Sequence, residues 1–197
     1  MGGVDDFIKR VGTPDPPAPI GVPDEAHIIW PMFKDRIGAG YFLDRFLYLF
    51  GEGLERLEEC LDAWSFVVPP LDNRVILGCN AYGAILVLEH GDDASKEMVK
   101  VLNPLTVQYW GDPNLTFGSL IASWLPERRI PRFFDTEVYE EDREENGDLD
   151  PFEILGIGVP LTLDGKMELD NFARQDIVAY YRDAAPAYKK AFAKMKR

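Results

Sequence analysis

The stretch RVILGCNAYGAILVLEHGDDASKEMVKVLN, residues 74–103, decides the fold. It holds three short apolar runs at 75–77, 84–89 and 98–102, all rich in Val, Ile and Leu. Gly78-Cys79-Asn80, Gly83 and Gly91-Asp92 punctuate them, and such residues break or turn strands. A parallel connection needs a crossover of roughly a dozen residues or more. The gaps here are shorter, so the runs read as an antiparallel meander. A further run at 66–68, ahead of Pro69-Pro70, is expected to join it.

Working toward the C-terminus, Thr116 is a helix cap. Phe117, Leu120, Ile121, Trp124 and Leu125 then follow the i, i+3, i+4, i+7, i+8 spacing of a buried helical face, and Pro126 ends it. A last helical region is expected over 171–195, with Asp170 as its cap. Phe172, Ile177, Tyr181, Tyr188 and Phe192 point inward, and Pro186 divides it. Lys189, Lys190, Lys194, Lys196 and Arg197 suit a helix C-terminus.

Toward the N-terminus, Leu54, Leu57, Leu61 and Trp64 mark a helix over 52–64. Its acids (Glu52, Glu55, Glu58, Glu59, Asp62) form a solvated outer face. Residues 41–50, YFLDRFLYLF, are apolar at eight of ten positions, a density at which periodicity does not separate helix from strand. Residues 24–34 read as a helix capped by Asp24 and interrupted by Pro31. Five prolines within 13–23 make that segment an extended strap. Phe7, Ile8 and Val11 make 4–11 a short helix. The expected architecture is α+β: a central, mainly antiparallel sheet flanked by N- and C-terminal helices. Residues 1–23 supply a helix and a proline-rich strap, and 24–197 form a single domain with an acidic loop at 135–153.

The chain has 197 residues, 34 acids against 21 bases, and a formal net charge of −13. Phosphate recognition needs Lys and Arg, so nucleic acid and anionic membrane are excluded as general partners and a basic protein is favoured. The acidity is local: ten acids and one base, Arg143, lie within 135–153 and carry −9 of the −13. The N-terminus has no apolar signal core, and Asp6 stands where a myristoylation pattern wants Ser or Thr. Cys60 and Cys79 make no disulfide framework, so a cytoplasmic protein with reduced thiols is expected.

Signs of catalysis are sparse. There is no phosphate-binding GxxxxGK[ST] loop. Gly38-Ala39-Gly40 and Gly156-Ile157-Gly158 lack the third glycine of a dinucleotide fingerprint. Ser65, Ser95 and Ser119 have no nucleophile context. His27, Cys60, Cys79 and His90 are spaced too widely for a usual zinc site. Asp148, Asp150 and Glu153 do not follow a calcium-loop order. No cofactor, metal or catalytic residue is expected. The acidic run has two readings, a solvated loop or a docking surface for a cationic protein. The docking candidates are Glu137, Glu140, Glu141, Asp142, Glu144, Glu145 and Asp148. Trp110 at the 109–113 turn is a candidate anchor.

The order of elements resembles a known group. A strand, the Tyr82-Gly83 turn, the Ala84-Ile85-Leu86-Val87-Leu88 strand, a polar hairpin and a strand ending Val101-Leu102-Asn103-Pro104 precede the 117–125 helix. After a charged linker come Gly156, Gly158, Pro160 and a helix ending Tyr180-Tyr181. Over residues 60–190 this resembles the GAD-like immunity proteins, which neutralise toxins of bacterial type VI secretion systems, often DNases. The SUKH immunity group has a similar plan. The resemblance implies an α+β domain, a cytosolic location, no catalytic residues and a cognate toxin with a basic surface as partner. The competing expectation is a hydrolase whose site is assembled from non-local carboxylates.

Overall fold

The computed structural model describes residues 2–90 and 97–195. The expected turn at Gly91-Asp92, together with Ser95, Lys196 and Arg197, lies outside them, as does the side chain of Lys194. In chain order the elements are α1 (Gly2–Arg10), α2 (Trp30–Ile37), β1 (Gly40–Phe42), β2 (Leu47–Leu49), α3 (Glu58–Ala63), β3 (Arg74–Asn80), β4 (Ile85–His90), β5 (Glu97–Asn103), β6 (Gln108–Gly111), α4 (Phe117–Ser119), α5 (Glu137–Asn146), β7 (Glu153–Ile157), β8 (Phe172–Asp176) and α6 (Ile177–Met195).

The fold is α+β. Strands β1 to β6 form one antiparallel sheet in sequence order, and β7 and β8 form a separate antiparallel pair. Strand β4 explains the unbroken run Ile85-Leu86-Val87-Leu88: all four are fully buried. A strand covered on both faces shows no alternation of polar and apolar residues. Gly78 is part of β3 and not a break in it. A register shift between Ile76 and Gly78 accommodates it, and a Cβ there would meet the backbone of β2.

Several expectations are corrected. Residues 66–68 form turns and do not extend the sheet. The 41–50 run is the β1–β2 hairpin. Its turn places Leu43, Asp44 and Arg45 in left-handed conformations, with φ of 51°, 52° and 68°. Asp24 opens a 3-10 turn and pairs with Lys34 at 2.8 Å, with Pro23 at the cap position. Pro31 sits in the first turn of α2, where its missing N–H costs nothing. At the C-terminus, Phe172 belongs to β8. Asp176, not Asp170, starts α6 by accepting the N–H groups of Val178 and Ala179. Tyr180-Tyr181 therefore lies near the start of that helix, and Pro186 lies within it without dividing it.

The Thr116 cap is present, with Ser119 closing a reciprocal box. The helix continues beyond α4 with π-type geometry over Leu120–Trp124. Helix α3, preceded by a 3-10 turn at Leu54–Leu57, buries Leu54, Leu57, Leu61 and Trp64. Trp64 donates to the Tyr181 carbonyl at 2.9 Å and packs on Tyr180, Tyr181 and Tyr188, which fastens α3 to α6.

The N-terminal segment is bonded to the sheet. Val4, Phe7 and Val11 are buried in the common core. The strap runs beside β1: Asp15 N–H donates to Tyr41 O, and Ala18 N–H donates to Ala39 O. Isolated bridges join Pro17 to Gly40 and Ile20 to Gly51. An edge strand's free amides and carbonyls are thereby occupied.

Candidate functional site

The segment expected as an acidic loop is built around a helix. Thr136 precedes α5, and Gly147, at φ 79°, ends it by donating to the Arg143 carbonyl. Glycine takes that conformation without a Cβ penalty. Over this length of polar sequence, helical propensity alone is marginal. Tertiary anchors hold α5 instead. Val138 and Tyr139 are buried. The Tyr139 N–H donates to the Tyr82 hydroxyl at 3.0 Å, and the Tyr139 hydroxyl donates to Asp44 O at 2.7 Å. Burial pushes the Tyr139 hydroxyl up to about 12.

Asp142 is the third anchor and corrects the docking set. Its side chain is 6% exposed. It accepts from Arg174 Nε at 2.9 Å and Nη2 at 2.7 Å, and from Asn146 at 3.0 Å. The same guanidinium reaches the carbonyls of Gly147 and Asp148, and its hydrogen bond to Asp142 raises its own pKa. Asp142 is therefore a fastening residue on the inner side of α5.

The outer side carries Glu137, Glu140, Glu141, Glu144 and Glu145, all exposed. Among the described residues none of the five forms an ion pair; Glu140 accepts only the Thr136 hydroxyl, at 2.6 Å. These carboxylates lie at i, i+3 and i+4 spacings, so they share one stripe of the helix. Asp148, beyond the helix end, is engaged instead. It accepts from Arg143 Nε at 2.7 Å and lies 3.7 Å from Arg45 Nε.

Beside this stripe is a groove of about 440 Å³. The β1–β2 turn forms its floor, the strap residues Thr13 and Asp15 one wall, and Arg143 and Asp148 the other. Arg45 lies over the Tyr41 ring, 4.4 Å from its centroid. Burial raises the Tyr41 hydroxyl above its ordinary value. A neighbouring hollow of about 410 Å³ is lined by Glu140, Arg143 and Glu144. The groove was not legible as a site in the sequence. Its residues come from separate segments of the chain, and the 41–50 run read equally as helix or strand.

Trp110 is not brought to this surface. It lies on β6, half-buried, with its ring 5.9 Å from that of Trp124. Helix α5 bonds instead to the β1–β2 and β3–β4 turns. The turn placement is corrected: the strand extends through Gly111, and the half-buried ring packs beside Trp124.

Several other chemical candidates are engaged in the fold or buried. His27 Nδ1 accepts the Ile29 N–H, and Nε2 pairs with Glu97. Glu153 accepts the Asp150 N–H at 3.0 Å. Cys60 and Cys79 are buried, and desolvation pushes both thiols up, Cys79 to about 12. Among the described residues no group of three or more His, Cys, Asp or Glu side chains is placed to hold a metal ion. No helix there is long and apolar enough to cross a membrane.

No protein-family model matches the chain, and no curated protein sequence matches it. Among solved structures it is similar to the crystal structure of Atu4351 from Agrobacterium tumefaciens. That match has a TM-score of 0.60 and 14% sequence identity, and it covers 93% of this chain and 88% of the other. At that identity the likeness concerns the fold alone.

Proposed function

We propose that this protein is a non-catalytic immunity protein. It binds a cognate secreted antibacterial toxin, a nuclease with a basic substrate-binding face, and neutralises it stoichiometrically in the cytoplasm. The observation that carries this reading is the α5 stripe of Glu137, Glu140, Glu141, Glu144 and Glu145. The five carboxylates are exposed, have no ion-pair partner among the described residues, and stand on a helix held from behind by Tyr139 and the Asp142–Arg174 pair. A negative surface with its charges held in place speeds encounter with a cationic partner and selects against anionic ones. Such a stripe also presents the partner with the charge of a nucleic-acid backbone. The resemblance in element order to immunity proteins points the same way.

The test begins with a tagged pull-down from native lysate, followed by mass spectrometry and binding kinetics with the recovered partner. Expected is one stoichiometric partner with a basic domain. Its association rate falls as salt rises, while its dissociation rate changes less. Replacing all five glutamates by Gln lowers the association rate at low salt by about tenfold or more. Association indifferent to both salt and the five substitutions overturns the docking surface. Turnover of a small substrate by the isolated protein, with no protein partner, replaces the reading with the carboxylate hydrolase.

A further inference from the structure

The two edges of the six-stranded sheet differ. Beside β1 the strap supplies partners: Asp15 N–H and Ala18 N–H donate to Tyr41 O and Ala39 O, and bridges join Pro17 to Gly40 and Ile20 to Gly51. At the other end β6 pairs with β5 alone. A bare edge offers a row of donors and acceptors to another chain, and proteins blunt it with Lys, Pro, a bulge or a covering segment. The β6 residues Gln108, Tyr109, Trp110 and Gly111 include no charge and no proline, and all four are at least partly exposed.

The register fixes which backbone groups face outward. Val99 N–H donates to Leu115 O, on the β6 side of β5. Direction alternates along a strand, so Val101 and Asn103 also face β6, and their partners Trp110 and Gln108 face β5. Tyr109 and Gly111 therefore turn their N–H and C=O groups away from the sheet. Among the described residues none of these four groups has a hydrogen-bond partner. The usable edge stops there: Val107 is left-handed, with φ of 51°, and Pro113 has no N–H to give.

We propose that the β6 edge is a homodimer interface: the β6 strands of two copies pair antiparallel across a two-fold axis at Trp110 and join their sheets. In that register Tyr109 of each copy faces Gly111 of the other, and every outward N–H meets an outward C=O. An axis at Tyr109 or Gly111 would need Val107 or Pro113 to continue the ladder. Trp110 meets its own copy at a non-hydrogen-bonded pair, where side chains stand closest, and aromatic cross-strand pairs stabilise a sheet. Trp124 borders that contact. On the opposite face Lys100 lies across Gly111, its Nζ 2.9 Å from where a Cβ would stand. The pairing brings this ammonium beside Tyr109 of the second copy, whose hydroxyl donates to Glu89, so the charges are complementary. So short a ladder makes a weak, concentration-dependent dimer. Helix α5 is bonded to the β1–β2 and β3–β4 turns and takes no part, so the inference does not rest on the toxin reading.

The experiment is sedimentation of the full chain over a concentration series at low and high salt. Expected is a monomer–dimer equilibrium that tightens as salt rises, because two chains of net charge −13 repel one another. The toxin complex responds to salt in the opposite direction, so the two readings fail separately. G111P removes an outward donor that makes no bond within the fold, and it abolishes the dimer. Gln108 is exposed, and in this register it lies opposite Asp112 of the second copy. Q108E therefore weakens the dimer of the unaltered chain but tightens the dimer of D112K, by about threefold in each case. A general charge effect has one sign in both backgrounds, so this reversal decides the matter if G111P does not fold. A chain that stays monomeric at every concentration overturns the proposal and leaves the edge to a foreign strand. A dimer that survives in folded G111P, or that Q108E shifts in the same direction in both backgrounds or in neither, overturns it as well.

Discussion

Two acidic helical stretches of this chain have similar composition and opposite surroundings. In the stretch around α3, Glu58 and Asp62 pair with Arg74, and Glu59 pairs with Arg182 of α6. Its carboxylates are counterions that help join α3 to β3 and α6. In α5 the engaged acid is Asp142, on the inner side, and the five outer glutamates have no cation among the described residues. The bases that would neutralise them are elsewhere. Arg143, the one base within the helix, points to Asp148. A run of acids is therefore a structural fastening or an interaction surface according to what the fold places opposite it.

The contrast can be broken first at its apolar root. W64A removes the indole that joins α3 to α6, leaving a cavity among Tyr180, Tyr181 and Tyr188. A loss of about 4 kcal/mol is expected in denaturant unfolding. The next largest effect belongs to the inner side of α5. D142A removes the close carboxylate of Arg174, leaving Glu153 at 3.9 Å, and should cost about 3 kcal/mol. It should also accelerate hydrogen exchange within α5 while sparing α3; equal acceleration in both would mean that α5 is not separately fastened.

Smaller again is R74M, which releases Glu58 and Asp62. Asp62 is largely solvated and Glu58 partly so, so about 1 kcal/mol is expected by the same unfolding assay. The smallest effect is the replacement of all five outer glutamates by Gln. Relief of like-charge repulsion at i, i+4 opposes the loss of favourable charge near the helix N-terminus. Stability should change by no more than about 0.5 kcal/mol. A larger loss would show that these glutamates, like those of α3, are structural.

Much of the meander was legible because strands and breaks are local properties. Val75, Ile85-Leu86-Val87-Leu88 and Val99 lie in the strands that the pattern indicates, and Thr116 caps its helix. The misreadings share one cause. Phe66, Val67 and Val68 have strand-like composition but no strand beside them to pair with. Phe172 fits a helical pattern that starts at Ile177, yet it is taken into β8 by pairing with Ile157. Trp110 reads as a turn residue, but β5 extends the ladder through it. The charged 137–146 segment reads as a loop because its few apolar residues, Val138 and Tyr139, make a weak stripe. Their partners, Tyr82 and Asp44, are distant in sequence.

The chain by itself determined an antiparallel core, the Thr116 helix cap, the concentration of negative charge near residue 140 and the absence of familiar catalytic motifs. These follow from residue type and short spacing. The tertiary structure alone decided that Asp142 faces Arg174 while its neighbours face solvent. It also decided that Trp110 packs away from the acidic helix and that the strap covers the β1 edge while β6 pairs with β5 alone. Each of these depends on which distant groups come within hydrogen-bonding distance, and over that distance the interaction energy changes too steeply for composition to anticipate it.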